Sequence, residues 1–105
     1  MELKFNPMRF KIIRKLKGLT IEQVEEKMRE IGGYKNRMNI DRWDTGHCNP
    51  SSFEKVELLA KALGVPIGFF YYNNVSINMN DLEVSIYIHD TKEEIRFHFL
   101  ENNTK

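Results

Sequence analysis

The chain has 105 residues, 41% hydrophobic and 30% charged, which suits one folded domain and excludes a disordered or low-complexity segment. No apolar run approaches the ~20 residues of a membrane span, residues 1–10 lack the apolar core of a secretory signal, and the single Cys48 cannot form an internal disulfide, so a cytoplasmic protein is expected. The formal net charge is +1, but residues 1–42 carry eleven Lys/Arg against six Asp/Glu and residues 43–105 five against nine, so a basic face for phosphates is expected on the N-terminal part.

Asn6 and Pro7 mark the start of a first helix over residues 7–17, with Asn as cap and Pro at the first helical position. Phe10, Ile13 and Leu16 recur at helical spacing, and Gly18 stops the element. Thr20 then caps helix two, with Gln23 completing a capping box. Ile21, Val24, Met28 and Ile31 form its apolar face, and Gly32 with Gly33 ends it. Helix three is expected over residues 35–45, with Met38, Ile40 and Trp43 apolar. Asn49 and Pro50 break the chain. Ser51 with Glu54 reads as another capping box, opening a fourth helix that turns Phe53, Val56, Leu59, Ala60 and Leu63 inward and ends at Gly64. Pro66 restarts a short fifth helix carrying Phe69, Phe70 and Tyr71.

Beyond residue 73 the polar segment 74–80 reads as a linker. The period then changes from 3.6 to 2: Leu82, Val84, Ile86 and Ile88 alternate with polar residues, as do Ile95, Phe97 and Phe99. That is the pattern of a β-hairpin. Pairing 88 with 95, 86 with 97 and 84 with 99 puts the apolar side chains on one face and sets Tyr87 opposite Arg96 and His89 opposite Glu94. An isolated two-stranded hairpin is not stable in water, so this one must lie on the helices or meet a copy of itself. The second arrangement is favoured, giving a homodimer interface of Val84, Ile86, Ile88, Ile95, Phe97 and Phe99.

Three motifs stand out: Arg14-x-x-x-Gly18-Leu19-Thr20, then Ile40-x-x-Trp43-Asp44-x-Gly46-x-x-x-Pro50, then Leu59-Ala60-x-x-Leu63-Gly64-Val65-Pro66. In this order they resemble the lambda-repressor-like (Xre/Cro) helix-turn-helix family over residues 5–73. The two ends of that stretch look like a subgroup often found in mobile elements, sometimes beside a metalloprotease-type partner. Ile21 stands where the family usually has Gln, and the interval from Thr20 to Ile40 is longer than in its shortest members. The expected fold is mainly α: a five-helix lambda-repressor-like DNA-binding domain (1–73), a linker (74–80) and a C-terminal antiparallel β-hairpin (81–105).

In that family the first residues of helix three face the major groove, which implies Asn36, Arg37 and Asn39 as base readers, with Asp41 or Arg42 one turn further on. The chemistry suits the task, because Arg forms paired bonds to guanine and Asn to adenine. Asn36 also suits a helix cap. Met38 could pack inward or touch a thymine methyl, and Trp43 belongs to the core. Phosphate contacts are expected at the N-terminus of helix two, from Thr20 to Gln23, where N–H groups and a positive dipole end converge. Lys15, Lys17, Tyr34 and Lys35 lie near that edge in sequence.

Enzymatic chemistry finds no support. Adjacent His47 and Cys48 are poorly spaced for one metal, His89 and His98 read as surface residues, and no phosphate loop, nucleophile elbow or paired catalytic carboxylate occurs. No catalytic residue, metal or other cofactor is therefore expected. The expectation is a transcriptional regulator, a repressor, binding double-stranded DNA as a homodimer. The alternative is a protein-interaction module, such as an autoregulated antitoxin, whose hairpin binds a toxin, a protease or an antirepressor.

Overall fold

The computed structural model describes residues 4–98. Four α-helices come first: α1 (Pro7–Leu16), α2 (Ile21–Gly32), α3 (Arg37–Thr45) and α4 (Phe53–Leu63). A 3-10 turn (Ile67–Phe70) follows, then strands β1 (Val75–Met79), β2 (Glu83–Ile88) and β3 (Glu93–His98). The strands form one antiparallel sheet in the order β1-β2-β3. This corrects the expectation of five helices and a hairpin on two counts, and each has a physical cause.

The fifth helix is a four-residue 3-10 turn. Past the turn the chain is held on α1 by Arg9, whose guanidinium donates to the backbone oxygens of Phe69 (2.8 Å), Tyr72 (3.0 Å) and Asn73 (3.2 Å). The expected linker contains a strand. Val75, Ile77 and Met79 alternate with Ser76 and Asn78, a period of two that flanking asparagines disguise. These five residues pair with β2, Val75 opposite Ile88 and Met79 opposite Val84. Asn80 builds the connecting turn, its Oδ1 accepting from the backbone N–H of Leu82 (2.9 Å) and Glu83 (2.8 Å).

The β2–β3 register is also corrected. Ile88 faces Glu93, Ile86 faces Ile95 and Val84 faces Phe97, so β3 is shifted by two residues from the expected pairing. Tyr87 thus meets Glu94, and Ser85 meets Arg96. A two-residue shift keeps every side chain on its face, so the apolar pattern could not distinguish the two registers. The turn decides: Lys92 adopts a left-handed conformation (φ 60°) and donates its N–H to Ile88 O at 2.8 Å, closing a shorter loop.

The inner face of the sheet is part of the protein's own core. Val84, Ile86 and Ile88 are at most 1% exposed, and they share one apolar cluster with Phe10, Ile13, Met28, Ile40, Trp43, Leu59, Phe69 and Phe70. Ile95 and Phe97 pack on that cluster half-buried. In place of the expected dimer interface, Val84, Ile86, Ile88, Ile95 and Phe97 turn toward the chain's own apolar cluster, because that cluster offers them burial within one molecule. Phe99, the sixth residue of that expected interface, lies outside the described residues.

Smaller corrections concern the helices. The cap of α4 is Ser52, whose Oγ accepts from Lys55 N at 3.3 Å, rather than Ser51. Ile31 and Phe53, expected to face inward, are 50% and 57% exposed. The helix α3 starts at Arg37 because Asn36 is its cap.

Candidate nucleic-acid interface

Two interactions fix the position of α3. Its inner side buries Ile40, Trp43 and Asp44. Asp44 accepts from the Nε (2.9 Å) and Nη2 (3.3 Å) of Arg14, while Lys11 stands 3.9 Å away. Arg14 also donates to Leu19 O at 2.8 Å, which holds the loop in front of α2. The spaced Arg14 and Asp44 of the sequence motifs therefore tie α1 to α3.

The α2–α3 turn is equally determined. Gly33 ends α2 with φ +77°, a conformation that L side chains avoid. Tyr34 then stacks on Trp43, ring centroids 5.6 Å apart, and its hydroxyl accepts from Asn39 Nδ2 at 3.3 Å. Lys55 places its ammonium 5.8 Å from the Tyr34 ring centroid.

The five expected base readers separate into two groups. Arg37, Asp41 and Arg42 are exposed on the outer side of α3, joined there by Met38 at 63% exposure. Asn36 is exposed as well, but its Oδ1 accepts from Asn39 N (3.1 Å) as the helix cap. Asn39 is half-buried and engaged with Tyr34. The outward stripe of α3 is thus Arg37, Met38, Asp41 and Arg42, and the two asparagines shape the start of the helix.

The expected phosphate contacts also divide. Thr20 and Gln23 form a reciprocal capping box: Thr20 Oγ1 accepts from Gln23 N (3.1 Å), and Gln23 Oε1 accepts from Thr20 N (2.8 Å). Their side chains are engaged, which leaves the N–H groups of Ile21 and Glu22 at the mouth of the helix. Lys15 and Lys35 are exposed. Tyr34 is a structural joint. Lys17 is half-buried, its ammonium 4.6 Å from the Phe97 ring centroid, and burial followed by the Lys27 charge holds it below the usual lysine range.

The charge around α3 is mixed. Arg37 lies 3.7 Å from the exposed Glu22 of α2, and Asp41 shares the outward stripe. Among the described residues Arg42 has no carboxylate partner within 4.0 Å.

One convergence of residues is not visible in the sequence. Lys17, Lys27 and Lys61 line a common cavity with Leu19, Leu63 and Phe97. Their separation along the chain leaves no local signal. Among the described residues no three His, Cys, Asp or Glu side chains group as metal ligands. Among the described residues no helix is long and apolar enough to cross a membrane.

No protein-family model, curated protein or solved structure matches this chain.

Proposed function

We propose that this protein is a sequence-specific regulator of transcription that binds double-stranded DNA, a repressor of the lambda-repressor-like (Xre/Cro) helix-turn-helix kind, acting as a cytoplasmic homodimer. The observation that carries the reading is the two-sided character of α3. Ile40, Trp43 and Asp44 fix one side to the core, while Arg37, Met38, Asp41 and Arg42 stand outward on the other. A major groove admits one helix, Arg is suited to guanine, and an exposed Met can meet a thymine methyl. The Glu22–Arg37 pair is exposed on both sides and weak in water, so phosphates and base edges can displace it. Selection of bound duplexes from random DNA tests the reading. A recovered near-palindrome with half-sites about 34 Å apart supports it, and failure to enrich any sequence refutes it.

The homodimer is supported at the edge of the sheet rather than its face. The bonds from Asn80 N to Glu83 O and from His89 N to Asn74 O set the phase of the β1–β2 ladder. In that phase the N–H and C=O groups of Ile77 and Met79 point away from β2. The strand holds no charge, whereas the opposite edge carries Glu93, Glu94 and Arg96. An uncharged edge lacks the usual protection against pairing with a copy.

The same edge gives the second reading its footing. Met79 is 58% exposed and Leu82 72%, an apolar strip that a toxin, protease or antirepressor could cover. Sedimentation of the purified chain separates the two: a dimer favours the first reading, and a 12.5 kDa monomer that gains mass only with another protein favours the second.

A further inference from the structure

A cavity of about 330 Å³ opens where the helices meet the sheet. Lys17 from the C-terminal cap of α1, Lys27 from α2 and Lys61 from α4 converge on it, Leu19, Leu63 and Phe97 supply an apolar wall, and His98 stands at the rim. No Asp or Glu lines it. Among the described residues none of the three ammonium groups has a carboxylate oxygen within 4.0 Å.

Two features of the fold offset part of this charge. The C-terminus of α4 ends here at Gly64, where an added Cβ would lie 3.1 Å from Lys17 Nζ. A helix end presents about half a unit of negative charge. Phe97 adds a cation–π contact with Lys17. Lys27 and Lys61 are exposed and Lys17 is half-buried; three full positive charges exceed both offsets, and the Lys27 charge acts directly on Lys17. The three lysines come from the cap of α1 and from the helices α2 and α4, so the solvated face of any one helix does not account for their meeting.

We propose that this cavity binds a small organic anion, its phosphate or carboxylate head held by Lys17, Lys27 and Lys61 and its apolar body resting on Phe97, Leu19 and Leu63. The volume lies toward the lower end of the range for small-molecule sites, about 300–1,000 Å³. The half-burial of Lys17, with its proton affinity reduced by burial and by Lys27, is what an unanswered cation at an anion site should show. The site stands independently of the DNA-binding reading, because the anion is held whether or not a duplex is present.

Calorimetric titration of the full chain with phenyl phosphate, inorganic phosphate and benzyl alcohol tests it. Phenyl phosphate is expected to bind more tightly than inorganic phosphate, and benzyl alcohol not to bind. Lys17→Met and Lys61→Met should each weaken phenyl phosphate by about tenfold or more, while Lys4→Met should leave it unchanged. In the unsubstituted protein, the side-chain NMR signals of Lys17 and Lys61 should move on titration, a readout that no folding defect can imitate. Absence of phenyl phosphate binding overturns the proposal, as does binding indifferent to both lysine substitutions. It is equally overturned if phenyl phosphate fails to bind and both substitutions instead lower the salt dependence of duplex binding, since the lysines would then serve the DNA backbone.

Discussion

Removing the carboxylate of Asp44 should unfold much of what positions α3. The group is 7% exposed and Arg14 15%, and two hydrogen bonds join them at 2.9 and 3.3 Å. Asp44→Ala leaves the Arg14 guanidinium, with Lys11 at 3.9 Å from the lost oxygen, without an opposing charge. Breaking a buried pair from one side costs about 3–5 kcal/mol, a large share of the ~5–15 kcal/mol that stabilises a typical domain. At roughly 4–8 °C per kcal/mol for a domain near this size, Tm should fall by on the order of 15 °C or more. Urea unfolding followed by the fluorescence of Trp43, the one tryptophan, reports the change next to the lesion. The double variant Arg14→Met/Asp44→Ala should lose less than the two single losses added together. A cost under about 1 kcal/mol for Asp44→Ala, the range of exposed pairs, would mean that solvent screens the pair and that something else fixes α3.

Four further outcomes follow from particular residues. Arg37→Ala should weaken the selected operator by about 1–3 kcal/mol and relax preference at one base pair; equal losses on random DNA, measured by competition binding, would remove Arg37 from base reading. Lys35→Ala should weaken all duplexes alike and lower the slope of log affinity against log salt by about one, which salt titration checks. Gly33→Ala should cost roughly 1 kcal/mol in denaturant unfolding, entirely from its left-handed backbone (φ +77°), because an added Cβ meets nothing within 4 Å. Lys17 has its proton affinity lowered on folding by burial and then by Lys27, so the unfolded chain binds more protons just below the ordinary lysine value of 10.5 and stability should rise with pH across that alkaline window. Comparing the stability of Lys17→Met with the parent over the same range should show that part of the rise missing.

Local signals in the sequence are strong where one side chain acts on its own backbone. Asn6, Thr20 and Asn36 cap the helices that they precede, and the left-handed Gly33, Gly46 and Gly64 close α2, α3 and α4. Legibility fails where the outcome depends on partners distant in the chain. The Arg9 bonds that hold the segment around the 3-10 turn reach across about sixty positions. The strand β1 is too short and too flanked by asparagine to declare itself before β2 is there to pair with it. The β3 register turned on a loop conformation at Lys92, to which alternating hydrophobicity is blind. At the candidate interface, exposure of Arg37, Asp41 and Arg42 fits a helix with one buried side. The engagement of Asn39 with Tyr34 required knowing that Tyr34 folds back onto Trp43. The lysine cavity, drawn from a helix cap, two helices and a strand, has no linear trace.

The placement of Val84, Ile86 and Ile88 beneath the sheet has a consequence for anyone wishing to trim the molecule. A chain stopped after residue 73 would lose Val84, Ile86 and Ile88 from the cluster they share with the helices, leave part of that cluster open to water and become sticky. Conversely, the last third cannot be transplanted as a handle, because its buried side chains share their cluster with the helices. Head and tail should melt together.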